Sequence, residues 1–173
     1  MNRQEFWAVI EQARADASAD AEAIAARAVE LLAMLPPEQI AAAAQPLWDL
    51  MADSYRGDLW AAAYLINGGA SDDGFEYFRG WLITQGREVF EHAVADPDSL
   101  AGVPAVQAVA AGPGDLECEE ALGIVRDAYL KATGRELPPD AFTIRYPSVS
   151  SMWDPADNTQ VRTHLPRLDR LLD

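Results

Sequence analysis

Residues 59–100 read LWAAAYLINGGASDDGFEYFRGWLITQGREVFEHAVADPDSL, and this stretch predicts three helices separated by turns. Asn67-Gly68-Gly69 favours the end of the first helix, because asparagine and glycine tolerate the left-handed conformation that follows a helix. Ser71 is a favoured N-cap for the second helix, and Asp72 and Asp73 fall in its first turn, where the helix dipole favours negative charge. Apolar side chains at helical spacing predict a buried stripe on this second helix, made of Phe75, Phe78, Trp81 and Leu82.

The same signals extend the helical pattern toward both ends of the chain. Upstream, we predict three helices. The first covers residues 3–17, and the second runs from a cap at Ser18 or Asp20 to Leu35. The third runs from Pro36-Pro37 to residue 55 and has a kink at Pro46. The third helix of the opening stretch covers residues 87–95, and downstream of it we predict another over residues 116–133, with Asp115 as its N-cap.

These elements predict a mostly α protein, a compact single-domain bundle of about seven helices with an irregular C-terminal wrap. The single domain spans residues 1–173. It divides into a helical core (residues 1–96), a connection (97–115), a helix (116–134) and an irregular C-terminal segment (135–173). Within that segment, we predict an extended stretch at residues 142–146, a loop at 147–157 and a short final helix over 161–172 that is broken at Pro166.

Composition excludes several classes of protein. The 173 residues include 13 basic and 28 acidic side chains, for a formal net charge of −15. No cluster of Lys and Arg is present to neutralise phosphates, which argues against nucleic acid or an anionic membrane as partner. Residues 1–10 lack the apolar core of a signal peptide, and the apolar stretch 60–66 is too short to span a membrane. We therefore expect a soluble, cytoplasmic protein. The single cysteine excludes an internal disulfide and a cysteine-based zinc site, and no cofactor is predicted.

The motifs of residues 59–100 resemble the bacterial domain-of-unknown-function family 4240. The matching features are Leu59-Trp60, Gly68-Gly69-x-Ser71-Asp72-Asp73, Phe75 through Phe78-Arg79, Trp81-Leu82-Ile83, Gly86 and Asp96-Pro97-Asp98-Ser99-Leu100. Phe6-Trp7 and Leu165-Pro166-Arg167-Leu168 also look like family features. The resemblance implies a small, mostly helical bacterial protein, and it supplies no activity or site residue.

The candidate ligand-binding residues are Ser71, Asp72, Asp73, Glu76 and Arg79. In one interpretation, the glycine turn, the serine cap and the acidic first turn only build a corner between two helices. In the other, the corner cradles a ligand, and its two aspartates favour a cation or a metal over phosphate. Arg79 is predicted either to form an ion pair with Asp72, Glu76 or an acid of another helix, or to hold a substrate carboxylate.

Other candidate reactive groups are an acid–histidine row, the single cysteine and the serines. Glu88, His92 and Asp96 are spaced i, i+4, i+8, which suits either a divalent metal or a solvated helix face. We expect the Cys118 thiol to be unreactive, because neighbouring carboxylates raise the pKa of a thiol. No serine lies in a G-x-S-x-G nucleophile motif.

Aromatic residues concentrate in the middle of the chain and predict either core or the wall of an acid-rimmed groove: Trp48, Tyr55, Trp60, Tyr64, Phe75, Tyr77, Phe78 and Trp81. Such a groove suits a basic protein or peptide. Our leading hypothesis is therefore a non-enzymatic protein- or peptide-binding or regulatory module. The alternative is an enzyme or small-ligand binder with an acidic site at residues 68–73, assisted by a divalent metal. Whether the protein is an enzyme is left open by the sequence.

Overall fold

The chain is mostly α-helical, as the sequence predicts. The structure is a computed structural model that describes residues 1–17, 20–149 and 153–173. These residues contain eleven α-helices, one 3₁₀ helix (Pro97–Gly102) and no strand. The α-helices are α1 (Arg3–Asp16), α2 (Ala21–Ala33), α3 (Pro37–Ala41), α4 (Ala44–Asp53), α5 (Gly57–Ile66), α6 (Asp72–Thr84), α7 (Arg87–Ala95), α8 (Pro104–Ala110), α9 (Glu120–Thr133), α10 (Asn158–His164) and α11 (Pro166–Leu172).

The number of helices exceeds the prediction because proline begins helices here. The predicted helix from Pro36-Pro37 to residue 55 is divided into α3 and α4. Pro46 does not kink a continuous helix. It lies in the first turn of α4, where its missing N–H would have no intrahelical partner. Pro97, Pro104 and Pro166 likewise occupy the first turns of short helices in segments predicted as connection or wrap.

The predicted cap at Asp115 is wrong, and α9 begins at Glu120. The backbone N–H of Leu116 donates to the Asn67 side chain at 3.0 Å, and the N–H of Cys118 donates to the Tyr77 carbonyl at 3.0 Å. Both N–H groups are therefore hydrogen-bonded to other elements, and residues 115–119 cross α6 before α9 starts.

At the second predicted helix, Asp20 is the N-cap of α2, whereas Ser18 lies outside the described residues.

The C-terminal wrap contains α10 and α11, which meet at Leu165 and Pro166, the position of the predicted break. Residues 142–146 form no strand with any described part of the chain. In the predicted loop 147–157, residues 150–152 lie outside the described residues.

Helix α6 is the central element. It contacts α1, α2, α4, α5, α7 and α9, and its residues are buried on nearly every side from Gly74 to Thr84. The predicted stripe of Phe75, Phe78, Trp81 and Leu82 is confirmed as core. Among the described residues, no helix has both the length and the apolar character that crossing a membrane requires.

The crossing of residues 115–119 over α6 depends on Gly80. A Cβ atom at this position would lie 2.4 Å from the Cys118 carbonyl oxygen, which is part of the backbone and cannot rotate away. We predict that Gly80→Ala lowers the free energy of unfolding by about 1–3 kcal/mol through overpacking. Chemical denaturation measures this change. Gly102→Ala is the control, because its added methyl group meets nothing within 4 Å and should shift stability by less than about 0.5 kcal/mol. Equal effects of the two substitutions would contradict the close-approach argument.

The 3₁₀ helix anchors the C-terminal helix α11 through a buried carboxylate. Asp98 is 5% exposed, and its oxygens accept the backbone N–H groups of Arg167 at 3.0 Å and of Leu168 at 2.9 Å. The Arg167 guanidinium also donates to Asp98 at 3.0 Å. The two motifs that resemble family features near residues 96–100 and 165–168 therefore contact each other.

We predict that Asp98→Ala lowers the free energy of unfolding by about 2–4 kcal/mol, because the buried Leu168 N–H and the partly buried Arg167 N–H lose their acceptor and the Arg167 guanidinium keeps only Asp96. Thermal or chemical unfolding provides the measurement. Glu91→Ala serves as the matched loss of a carboxylate, since the Arg87–Glu91 pair is exposed and contributes less than about 1 kcal/mol. A cost for Asp98→Ala no larger than for Glu91→Ala would contradict an anchoring role.

Candidate functional site

The turn between α5 and α6 has the capping geometry that the sequence predicts. Gly68 adopts the left-handed conformation with φ of 67°. The Ser71 hydroxyl accepts the Gly74 N–H at 3.1 Å and caps α6. Asp72 and Asp73 are exposed in the first turn of this helix. The corner interpretation therefore accounts for each of these side chains, and the ligand interpretation stays a prediction.

Arg79 is the residue whose environment differs most from expectation. Its side chain is 2% exposed, and it takes part in none of the ten ion pairs found among the described residues, so the predicted ion pair is wrong. Instead, Nη1 donates to the Met51 carbonyl oxygen at 2.6 Å. Met51 lies in the last turn of α4, where carbonyl groups lack intrahelical partners and carry the negative end of the helix dipole.

Aromatic rings surround the rest of the Arg79 guanidinium. Its central carbon lies 5.0 Å from the ring centres of Tyr55 and Phe75 and 5.2 Å from that of Tyr146. Such cation–π contacts compensate part of the cost of removing a guanidinium from water. The Nε–H group has no hydrogen-bond partner among the described residues, and burial lowers the pKa of Arg79 from its ordinary value.

Tyr146 covers this arginine from the C-terminal segment. Its ring stacks on Tyr55, with centroids 4.8 Å apart, and its hydroxyl donates to Glu76 Oε1 at 3.2 Å. Burial raises the pKa of Tyr146, so its hydroxyl is a proton donor at neutral pH. We call Tyr55, Phe75, Glu76, Arg79 and Tyr146 the Arg79 cluster.

The Arg79 cluster is tied to the glycine corner by Trp60. The indole of Trp60 stacks on Phe75 at a centroid distance of 4.8 Å and an interplanar angle of 10°. Its N–H donates to the Ala70 carbonyl oxygen at 3.0 Å, one residue before the Ser71 cap. The position of the corner and the position of the cluster therefore depend on each other.

Carboxylates gather around Tyr77 on the outer side of α6. Glu119 above all, then partial burial, Asp73, Glu76 and Glu117 raise the pKa of the Tyr77 hydroxyl. In the segment before α9, Leu116 and Cys118 are buried, whereas Glu117 is half-buried and Glu119 is exposed. We call Asp73, Glu76, Tyr77, Glu117 and Glu119 the acidic face.

The acidic face forms no ion pair among the described residues. None of the ten ion pairs found there includes a carboxylate from its vicinity, namely Asp72, Asp73, Glu76, Asp115, Glu117, Glu119 or Glu120. Arg79 and Arg126 act on Glu76 and Glu119 only from beyond ion-pair distance. Burial and the nearby Asp115 raise the pKa of Glu117, so ionising this carboxyl opposes folding. Negative charge therefore predominates on this surface.

The three candidate metal ligands on and after α7 do not assemble into a site. Glu88 and His92 are exposed. Asp96 caps the 3₁₀ helix by accepting the Asp98 N–H at 3.2 Å, and it pairs with Arg167 at 2.5 Å. Over residues 1–17, 20–149 and 153–173, no group of three His, Cys, Asp or Glu side chains is arranged to hold a metal ion.

The predicted aromatic groove is divided into separate parts. Tyr55, Trp60 and Phe75 belong to or adjoin the Arg79 cluster, whereas Trp48 stacks on Phe142 at 5.3 Å. The Trp48–Phe142 pair lines a mostly apolar cavity of about 300 Å³ between α4, α9 and residues 136–142. The charged residues of this cavity are Arg126 and Glu136, which the sequence did not single out.

The described residues thus form a small all-helical protein with an acidic face and a buried arginine. The family model described as a protein of unknown function (DUF4240) matches residues 1–131, and the chain belongs to this family. No curated protein and no solved structure matches it. The matched region includes the acidic face and every wall of the Arg79 cluster, and it ends before Tyr146.

Cys118 provides a direct test of the packing beneath the acidic face. Its side chain is 2% exposed, and burial, with a smaller contribution from Glu120, raises the pKa of its thiol to about 12. The expected inertness therefore has burial as its main cause. We predict that a disulfide reagent such as Ellman's reagent leaves the folded protein unmodified at pH 8 and reacts with one thiol per chain in 6 M guanidinium chloride at the same pH. Rapid reaction of the folded protein would show that residues 115–119 separate from α6.

Proposed function

We propose that this protein is a non-enzymatic, cytoplasmic binding module that recruits a basic protein or peptide through its acidic face. The observation that carries the proposal is the group of carboxylates around Tyr77 that lacks any ion-pair partner among the described residues. Elsewhere on the surface, nine basic side chains each lie within ion-pair distance of an acid. A basic ligand supplies the charge that the acidic face lacks.

The rigidity of this surface supports recognition. Glu117 and Glu119 lie on a backbone segment held by Asn67 and Tyr77, while Asp73 and Glu76 lie on the central helix α6. Carboxylates fixed near one another by the fold repel each other in the free protein, and a cationic ligand relieves that repulsion. Tyr77 is partly exposed among them, and its ring offers a face on which an arginine side chain can stack.

A groove between α2 and α9 continues the acidic surface beyond Glu119. It has a volume of about 240 Å³, with Ala25, Ala26 and Val29 among its lining residues. Of its four acids, Glu22 and Glu120 form no ion pair among the described residues, whereas Glu30 pairs with Lys131 and Asp127 pairs with Arg126. Lysine and arginine side chains combine an aliphatic stem with a charged end, which matches such a lining.

The metal-assisted alternative at residues 68–73 gains no comparable support, because the Ser71 hydroxyl is engaged as the cap of α6.

We predict that the double variant Glu117→Gln/Glu119→Gln binds a fluorescein-labelled nona-arginine peptide about tenfold more weakly at low ionic strength, because two carboxylates of the contact surface are neutralised. Fluorescence anisotropy gives the dissociation constants. The control is Glu38→Gln/Asp140→Asn, which makes the same change of net charge at exposed residues that lie outside the acidic face. This control should change the affinity by less than about twofold. Equal weakening by both double variants would mean that net charge alone attracts the peptide, and it would contradict the proposal.

Measuring the unfolding of Glu117→Gln/Glu119→Gln distinguishes a loss of peptide binding from a loss of stability. The pKa of Glu117 is raised in the folded state, so its contribution to stability falls as pH rises from the ordinary value of 4.5 through that raised pKa. At neutral pH, glutamine in its place should therefore leave the free energy of unfolding unchanged or increase it by less than about 1 kcal/mol. A marked loss of stability would attribute any loss of peptide binding to the fold rather than to the acidic face.

A further inference from the structure

Tyr146 is held in the Arg79 cluster by three contacts of the kind that recognise a bound phenol. The face of its ring stacks on Tyr55 at 4.8 Å, and the Arg79 guanidinium lies 5.2 Å from the ring centre. Its hydroxyl donates to the Glu76 carboxylate at 3.2 Å. The guanidinium above the ring and the carboxylate at the hydroxyl both interact favourably with a phenol. A purely apolar side chain cannot donate a hydrogen bond to the carboxylate and therefore fits this pocket less well.

The walls of this pocket are fixed independently of Tyr146. Glu76 and Arg79 belong to the enclosed helix α6, and Tyr55 follows the C-terminus of α4. Arg79 is positioned from below by its hydrogen bond to the Met51 carbonyl oxygen, and Phe75 is positioned by its stack on Trp60. The three walls that touch Tyr146 therefore form a preorganised receptor.

Tyr146 itself belongs to a weakly packed stretch. Residues 143–148 are all exposed, and Tyr146 retains 37% of its surface. Just before it, Gln45 exchanges two hydrogen bonds with the backbone of Thr143, at 2.8 and 3.1 Å, and Trp48 stacks on Phe142. These contacts hold the chain beside the pocket without Tyr146, so the tyrosine can leave while its neighbours stay attached.

The family match also separates the walls of the pocket from Tyr146. The matched residues 1–131 contain Tyr55, Glu76 and Arg79, whereas Tyr146 lies beyond them. With Tyr146 absent, the buried guanidinium, whose Nε–H has no partner in the part of the chain that the structure describes, would lose one of its covering rings. The pocket is thus a feature of the matched region, and its occupant comes from outside that region.

We propose that Tyr55, Glu76 and Arg79 form a binding site for a tyrosine side chain of a partner protein, and that Tyr146 occupies this site within the same chain. The intramolecular tyrosine then competes with the partner, because a tethered group has an effective concentration on the order of millimolar. This site shares Glu76 with the acidic face but goes beyond it, since its ligand is an uncharged phenol and its other walls, Tyr55 and Arg79, lie outside that face.

The test uses the full chain and the uncharged probe N-acetyltyrosinamide, followed by NMR titration. Tyr146→Ala should bind the probe at least about tenfold more tightly than the unmodified chain, because the tethered competitor is removed. The same variant should bind N-acetylphenylalaninamide about tenfold more weakly than N-acetyltyrosinamide, because only the phenol donates to the Glu76 carboxylate. Adding Glu76→Ala should remove this preference for tyrosine over phenylalanine.

Ile144→Ala is the matched control, since Ile144 is an exposed apolar residue of the same segment and lies outside the pocket. It should bind N-acetyltyrosinamide as weakly as the unmodified chain. Circular dichroism establishes that each variant is folded, and Tyr146→Ser replaces Tyr146→Ala if the alanine variant does not fold. The proposal is overturned if the folded Tyr146 variant does not bind the probe, if it binds no better than the unmodified chain, or if it binds both amides equally. None of these outcomes depends on nona-arginine binding, so this site and the acidic face fail or stand separately.

Discussion

The buried positive charge of Arg79 is the constraint on which the rest of the site depends. Helix α6 contacts six other helices, and the Arg79 side chain at its centre is only 2% exposed. The charge is compensated by the last turn of α4 and three aromatic rings, while the Glu76 carboxylate acts on it from beyond ion-pair distance. This arrangement joins α4, α6 and the C-terminal segment at one point, because each of them supplies part of the environment of a single guanidinium.

The distribution of charge on either side of α6 follows from the same packing. Gly80 lets the backbone of residues 115–119 approach the helix closely, and Asn67 fixes the start of that segment through its side-chain amide. This segment then buries Leu116 and Cys118, leaving Glu117 half-buried and Glu119 exposed. The helix that holds a buried arginine on one side therefore adjoins, on another, carboxylates that form no ion pair among the described residues.

Features determined by neighbouring residues could be predicted from the sequence, whereas features determined by distant ones could not. The glycine turn, the Ser71 cap and the buried stripe of α6 involve residues within one or two helical turns, and all three are confirmed. The Asp115 cap failed because distant acceptors bind the N–H groups that would have begun the helix. The Arg79 ion pair failed because a carbonyl group 28 residues earlier in the chain took the place of a carboxylate. No local signal could have found Tyr146, which is 70 residues from Glu76.

Among the attachments of the segment beyond the family match, those at Asp98 and at Tyr146 differ in strength. At Asp98, a buried carboxylate binds two backbone N–H groups and a guanidinium of the Leu165–Leu168 region, and breaking these contacts leaves charge and N–H groups unsatisfied in the interior. At Tyr146, one hydroxyl bond and the faces of neighbouring rings provide the contact, and the ring is already partly in water. The free energy needed to release Tyr146 is therefore much smaller than that needed to detach α11. Exchange at the Arg79 cluster requires only the weaker attachment to open, so the helical core and its C-terminal anchor stay intact while the pocket changes its occupant.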